Sequence, residues 1–118
     1  MSAVVPRNAA PQPSMDDAEL VRALKALADP GRFRIVQEIA AAGELSCGEV
    51  AERFDLSQPT ISHHMKILGE AGILVTRTEG KHHYTSVNHA LLERVGELLP
   101  ERLSADAKRA ARPARKVG

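Results

Sequence analysis

The sequence contains few cysteines and few aromatic residues, and both shortages exclude whole classes of protein. Among its 118 residues there are one Cys, one Tyr, two Phe and no Trp. A single cysteine cannot form a disulfide or a paired-thiol zinc site within one subunit. The shortage of aromatic rings argues against proteins that read RNA or single strands by stacking on their bases.

Long apolar runs are also missing. The first residues contain no stretch that fits a signal peptide, and nothing downstream is long enough to span a bilayer. We therefore expect a cytoplasmic protein without membrane contact. The net charge is only +1, so a surface that binds nucleic acid must arise from local clustering of basic residues.

Motifs of common enzymes are absent as well. The sequence has no Gly-rich phosphate loop, no nucleophile elbow and no metal-ligand spacing. Ser, His and carboxylate residues occur, but no spacing assembles them into a catalytic group. The sequence thus predicts neither an enzyme nor a resident cofactor.

The composition that remains fits one small helical domain. With few aromatics, the core must consist of Leu, Ile, Val and Ala. Residues 1–14 lack periodicity and predict a disordered arm, residues 15–104 predict the folded domain, and residues 105–118 predict a basic, mobile tail.

Apolar periodicity and helix-start signals predict two helices in the first part of the domain. The first begins after Met15, with an apolar stripe of Leu20, Leu24 and Leu27 that is flanked by Val21 and Ala28. Asp29 and Pro30 end it and begin the second helix, as N-cap and first helical residue. The second helix ends near Gly43, and its expected buried residues are Phe33, Val36, Ile39 and Ala40.

Two more helices follow with a tight turn between them. Ser46 and Glu49 have capping-box spacing and open a third helix through about Phe54, with Val50, Ala51 and Phe54 inward. Asp55 lies in the turn, where we expect it to tolerate a left-handed backbone. Ser57 caps a fourth helix, Pro59 fits its first turn, and the helix runs to about Ala71, where Gly72 ends it.

The remainder predicts a β-hairpin and a last helix. Residues 73–78 and 82–87 are β-prone and separated by residues 79–81. The last helix carries a leucine-rich stripe, and Pro100 inside it predicts a kink or break. The order is α-α-α-α-β-β-α, mostly α with a small β-hairpin wing, which is typical of a winged helix-turn-helix that reads DNA. The stripe consists of Leu91, Leu92, Val95, Leu98, Leu99 and Leu103.

The fourth helix has an apolar face and a polar face. At about 100° per residue, Ile61, Met65 and Leu68 share one side, His63 lies opposite them, and His64 borders the core. We therefore predict a DNA contact for His63 and a structural hydrogen bond for His64. In the helix, the expected base-edge and phosphate contacts come from Ser57, Gln58, Thr60, Ser62, His63 and Lys66; in the wing, from Arg77 and Lys81.

Several segments carry a resemblance to a known family. The sequences Ala-Asp-Pro-Gly-Arg-Phe-Arg-Ile at 28–35 and Leu-Ser-Gln-Pro-Thr-Ile-Ser-His-His-Met at 56–65, together with the wing, resemble the ArsR/SmtB repressors. The resemblance implies a homodimer that binds a double-stranded operator with inverted-repeat half-sites. It also implies release of DNA when an inducer binds, although the sequence leaves the inducer unknown.

The resemblance also allows the family's metal positions to be compared. Where arsenic sensors have Cys-Val-Cys, this chain has Ser46, Cys47 and Gly48. Where zinc sensors have their ligands in the last helix, this chain has Asn88, Ala90 and residues near Glu101 and Ser104. Both ligand sets are lost, which predicts a repressor without the usual metal site.

Three alternatives stay open. Cys47 lies at the start of a predicted helix, whose dipole can favour a thiolate, so it is a possible redox site. His82 and His83 are adjacent on a strand and point to opposite faces, but His89 could join a site across two subunits. A degenerate winged helix that binds protein rather than DNA is the third alternative, and the polar, basic face of the fourth helix argues against it.

Overall fold

The computed structural model describes residues 15–104, and the predicted arm at 1–14 and tail at 105–118 lie outside them. Five helices and one hairpin occur in the predicted order. They are α1 (Asp17–Leu27), α2 (Pro30–Ala42), α3 (Cys47–Arg53), α4 (Gln58–Glu70), β1 (Leu74–Glu79), β2 (His82–Val87) and α5 (His89–Arg102). No helix in this part of the chain is long and apolar enough to cross a membrane.

The helix starts follow the local sequence. Asp16 and Ser46 each form a capping box, with Glu19 and Glu49 respectively, and Asp29 accepts a hydrogen bond from the backbone N of Arg32 ahead of Pro30. These side chains satisfy backbone N–H groups that have no partner within the first turn. The predicted positions of the helix starts are confirmed.

The turn between α3 and α4 differs from the expectation for Asp55. Within residues 15–104, positive φ angles occur only at Gly43, Gly72 and Gly80. Asp55 is therefore not left-handed. The chain instead changes direction at Phe54, the C-cap of α3, which is extended with φ −127° and ψ 151°.

The core is aliphatic, as the composition predicts, but two expected members are outside it. Phe33 is 52% exposed and Ala40 is exposed, whereas Ile35 is fully buried. Ile35 and Ile39 are four residues apart and share one face of α2, and Phe33 is about 200° away from Ile35 around the helix. The largest fully buried side chains are Ile35, Ile39, Ile61, Leu68, Ile73 and Val50.

The buried face of α1 also differs from its predicted stripe. Leu20 is buried and Leu24 and Leu27 are half-buried, but Val21 is 49% exposed and Ala28 is exposed. Ala23 and Ala26 take the buried positions instead. Small residues there allow α1 to approach its neighbours closely, which a count of large apolar residues does not reveal.

The end of α4 is fixed by backbone hydrogen bonds. The backbone N of Gly72 donates to the carbonyl of Gly69 at 3.0 Å, and that of Ile73 donates to the carbonyl of Leu68 at 3.0 Å. This pair of bonds defines a Schellman motif, which requires the left-handed φ of +83° found at Gly72. The chain then enters β1 directly, so the wing begins close to the end of α4.

The wing is an antiparallel hairpin with a third segment beside it. Its register runs from Leu74 opposite Val87 to Glu79 opposite His82, so the connecting turn has two residues, Gly80 and Lys81. Gly80 has φ +63° at the first turn position, where glycine is favoured. On the other side of β2, Leu45 and Thr85 exchange backbone hydrogen bonds of 3.0 and 2.9 Å, which anchor the wing to the α2–α3 linker.

Of the kink or break predicted at Pro100, the break is wrong. α5 continues from His89 through Pro100 to Arg102. Proline removes one backbone hydrogen bond. Pro100 is in the last turn of α5, so only Glu101 and Arg102 follow it in the helix. Arg102 adds tertiary support, because it donates to the carboxylate of Asp17 at 2.6 Å and to the carbonyl of Met15 at 2.7 Å.

Candidate nucleic-acid interface

The start of α4 is organised by hydroxyl groups. Ser57 is the N-cap, its Oγ accepts from the backbone N of Thr60 at 3.3 Å, and the same hydroxyl donates to Oγ1 of Thr60 at 2.9 Å. Pro59 is in the first turn, as predicted. Both residues are exposed, and the hydroxyl of Thr60, which accepts from Ser57, keeps its own proton to donate to a phosphate at the positive end of the helix dipole.

The two faces of α4 differ sharply in exposure. Ile61 and Leu68 are fully buried and anchor the helix to the core, with Met65 half-buried beside them. Every predicted DNA-contact residue of this helix is exposed: Gln58, Thr60, Ser62, His63 and Lys66. The structure thus places these side chains on one solvent-facing surface, which we call the recognition face.

The two adjacent histidines have different surroundings. His63 is exposed on the recognition face, and its ring centroid is 6.2 Å from that of His64. His64 is half-buried, and its Nδ1 is 3.5 Å from Nη1 of Arg32 on α2. The geometry fits a structural role for His64 and leaves His63 free to contact a ligand.

Lys66 makes one weak ion pair. Its Nζ is 3.8 Å from Oε2 of Glu70, and the two side chains are 70% and 64% exposed. Ion pairs this exposed contribute little, so a phosphate group can readily compete with Glu70. Lys66 therefore remains available to contact the phosphate backbone of DNA.

Cys47 lies against the recognition helix. It is the first residue of α3, half-buried, and its Sγ is 3.7 Å from Oγ of Ser62. This contact joins α3 to α4 at one of the predicted DNA-contact residues. A modification of the thiol would enlarge the side chain at this contact.

The wing arginine is engaged within the chain. Nε and Nη2 of Arg77 donate to the two carboxylate oxygens of Glu44 at 3.0 and 2.9 Å, and Nη1 donates to Glu79 at 2.8 Å. The guanidinium also lies 4.9 Å from the ring centroid of Tyr84. The hydrogen bonds from Arg77 lower the pKa of Glu44, and those to Glu44 and Glu79 raise the pKa of Arg77.

Lys81 contrasts with Arg77. It lies in the two-residue turn at the tip of the wing, is exposed, and has no ion pair with any residue between 15 and 104. Of the two predicted wing contacts, only Lys81 is free of an intramolecular competitor. Sequence reasoning missed Glu44, because nothing in the local sequence signals a partner 33 residues away from Arg77.

The remaining histidines do not converge. Nδ1 of His83 is 3.2 Å from Oγ1 of Thr78, whereas His82 lies beside Tyr84 on the other face of the strand, with ring centroids 6.0 Å apart. His89 is exposed in the first turn of α5. Over residues 15–104, no group of three or more His, Cys, Asp or Glu is placed to hold a metal ion.

Residues at the family's metal positions have structural partners instead. Ser46 caps α3. Asn88 caps α5: its side chain accepts from the backbone N of Leu91 at 3.2 Å and donates to the carbonyl of Gly72 at 3.0 Å. The second bond connects the start of α5 to the end of the recognition helix.

Comparison with known sequences identifies similar proteins. A family model described as a helix-turn-helix domain matches residues 27–77, which run from the end of α1 into β1. The arsenical resistance operon repressor of Staphylococcus aureus is 40% identical over 79 residues, which cover 67% of this chain and 75% of that protein. The transcriptional repressor SdpR of Bacillus subtilis (strain 168) is 36% identical over 69 residues, or 58% and 76% of the two chains.

Comparison with solved structures gives the same class of protein. The ArsR-like transcriptional regulator from Rhodococcus sp. RHA1 superimposes with a TM-score of 0.67 at 27% sequence identity. The match covers 79% of this chain and 84% of that one. The similarity therefore extends beyond the helix-turn-helix to most of the fold.

Proposed function

This chain belongs to the ArsR/SmtB family of winged helix-turn-helix transcriptional regulators, and from that premise we propose that it represses transcription as a homodimer bound to an inverted-repeat operator. Like its named relatives, it is a DNA-binding transcriptional regulator. It is not an enzyme. We further propose that it acts in the cytoplasm, where a bacterial operator is located.

One observation carries the proposal. The recognition face of α4 is exposed and entirely polar, while the opposite face is locked into the core by Ile61 and Leu68. Helices of this kind enter the major groove, with the N-terminal residues at base edges and flanking cations at phosphates. A surface that binds protein should instead present larger apolar or aromatic groups.

A selection experiment tests DNA reading directly. Random duplexes enriched on the immobilised protein at low salt should converge on an inverted repeat whose half-sites are about one helical turn apart. In fluorescence anisotropy, His63→Ala should relax the sequence preference. Lys66→Ala should weaken binding to all sequences and reduce the salt slope by about two, one for each subunit of the dimer.

The matched control is His89→Ala, which removes an exposed histidine from the start of α5. It should retain wild-type affinity and preference. Failure to enrich any duplex, or an equal loss for His63→Ala and His89→Ala, would contradict DNA reading by the recognition face.

We propose that release from the operator does not depend on the family's arsenic or zinc sites. Positions 46–48 offer one thiol, and Ser46 and Asn88 are committed to capping helices. Arsenite or zinc at micromolar concentration should leave the anisotropy of the protein–operator complex unchanged. Complete release by either ion would overturn this part of the proposal.

A thiol-responsive repressor is the second candidate, favoured by the contact between Cys47 and Ser62. Oxidation of the thiol would add oxygen atoms where α3 packs against the recognition helix. Release by hydrogen peroxide in the wild type but not in Cys47→Ser would support this candidate, and equal behaviour of both proteins would reject it.

A further inference from the structure

The guanidinium of Arg32 lies where three helices meet. Arg32 is in the first turn of α2, and its side chain turns back towards α1. Its Nε donates to the carbonyl of Ala26 at 2.7 Å, and its Nη2 donates to that of Lys25 at 3.4 Å. The last turn of a helix exposes carbonyls and favours a cation, so Arg32 stabilises the end of α1.

The third nitrogen of the same guanidinium reaches the recognition helix. Nη1 of Arg32 is 3.5 Å from Nδ1 of His64 on α4. A guanidinium has only donors, so the imidazole nitrogen must be the acceptor. The neutral His64 ring therefore carries its proton on Nε2.

The backbone around this contact leaves space for the imidazole. A Cβ placed on Gly31 would lie 3.1 Å from Oδ2 of Asp29 and 3.5 Å from Nε2 of His64. Asp29 in turn accepts from the backbone N of Arg32 at 3.0 Å. His64 thus packs against a junction whose own geometry is fixed by a helix cap.

We propose that Arg32 and His64 are positioning residues for DNA reading, which they serve by fixing the orientation of α4 relative to α1 and α2. The inference rests on the function proposed above. The fully buried side chains of α4, Ile61 and Leu68, hold the helix against the core, and the contact of Arg32 with His64 adds a directional polar interaction to this packing. The contact from Arg32 to His64, the residue next to His63, restricts rotation of α4. This restriction matters because hydrogen bonds to base edges are lost when donor and acceptor are more than about 3.5 Å apart.

Variants that keep or remove the acceptor provide the test. Using the duplex obtained by selection and a scrambled duplex of equal length, His64→Leu should weaken operator binding about 25-fold, the loss expected for one base-edge hydrogen bond in each of the two subunits. Binding to the scrambled duplex should change by less than about twofold, because phosphate contacts tolerate small rotations. His64→Gln, which supplies an amide oxygen, should recover most of the operator affinity.

Arg53→Lys is the matched control for Arg32→Lys. Arg53 also joins two helices through a guanidinium, because its Nη1 donates to Oε1 of Glu38 on α2 at 3.3 Å, but it lies away from His64 on α3. Both variants should lower the thermal midpoint, and only Arg32→Lys should lower the ratio of operator to scrambled affinity. Parallel loss of both affinities in Arg32→Lys, or equal impairment of His64→Gln and His64→Leu, would overturn the proposal.

A readout without DNA separates this inference from the proposed function. In long-range 1H–15N spectra of the wild type at neutral pH, the resonance of His64 Nδ1 should be that of an unprotonated nitrogen. Its 15N chemical shift should change in Arg32→Lys. Protonation at Nδ1 would refute the contact whether or not the protein binds an operator. Failure of the selection experiment with the expected spectrum would instead count against the proposed function alone.

Discussion

Asp29 shows how one side chain links stability to pH. Its carboxylate accepts from the backbone N of Arg32, and this hydrogen bond, opposed by desolvation and aided by the charges of Arg32 and His64, lowers its pKa. A carboxyl whose pKa is lower in the folded chain stabilises it fully above the ordinary value of 3.8. That contribution is lost as the pH falls through the folded-state pKa.

Asp29→Asn should therefore change the acid sensitivity of the fold. Asn also caps helices, so the urea midpoint at pH 7 should fall only slightly. The advantage of the wild type should shrink as the pH falls from the ordinary value of 3.8 through the lower folded-state pKa and Asp29 becomes protonated. Asp55→Asn, at an exposed turn residue, is the control and should show no such convergence; a constant difference for Asp29→Asn would refute the linkage.

Single residues also show where sequence reasoning succeeds. The caps at Asp29, Ser46 and Ser57 were predictable because a cap and its partner lie within three positions of each other. The contact of Arg32 with His64 joins residues 32 positions apart, and no local pattern indicates it. The difference in exposure between His63 and His64 followed from helical periodicity alone.

At the scale of elements, patterns gave the order and approximate bounds of all five helices and both strands. β2 was predicted at its observed limits, and β1 begins and ends one residue later than expected. The errors arose where tertiary packing decides between similar residues. Phe33 is the larger apolar side chain, but the face of α2 that meets the core carries Ile35.

The wing shows a conflict between an intramolecular ion pair and DNA contact. Arg77 can reach a phosphate only by leaving Glu44, while the Leu45–Thr85 hydrogen bonds keep the wing anchored without that pair. Glu44→Gln should therefore raise operator affinity about threefold and steepen the salt slope by about two, since Arg77 gains a phosphate partner in each subunit of the dimer. Anisotropy titrations over a range of salt concentrations measure both quantities.

Glu97→Gln provides the control for this substitution, because Glu97 pairs with Arg94 at 3.3 Å on α5. It removes the same charge without releasing a wing residue and should leave the salt slope unchanged. If Glu44→Gln lowers affinity instead, Arg77 serves to hold the wing and the predicted DNA contact at Arg77 is wrong.

At the scale of the whole molecule, apolar side chains remain exposed on the first and last helical segments. Val21 on α1 is 49% exposed, and Leu103, which follows α5, is 77% exposed. α1 and α5 are joined by the contact of Arg102 with Asp17. An interface between two copies would cover both exposed residues, which supports the proposed homodimer.

Val21→Glu should separate the two copies. A buried, unpaired carboxylate opposes association, so sedimentation velocity should show a monomer at low micromolar concentration. Operator affinity should fall more than about tenfold, because each half-site must then be bound independently. The control is Val75→Glu, which replaces a 46% exposed valine of β1 and should stay dimeric. A dimeric Val21→Glu protein would show that the interface does not include Val21.

The segment at Leu45 also affects how the sheet meets other molecules. Leu45 pairs with β2 only at Thr85, and the outer edge of β1 has no strand partner among residues 15–104. Along that strand stand Arg77 and Glu79, and charges on an edge oppose the addition of a foreign strand. These charged side chains of the wing thereby also oppose edge-to-edge aggregation of the protein.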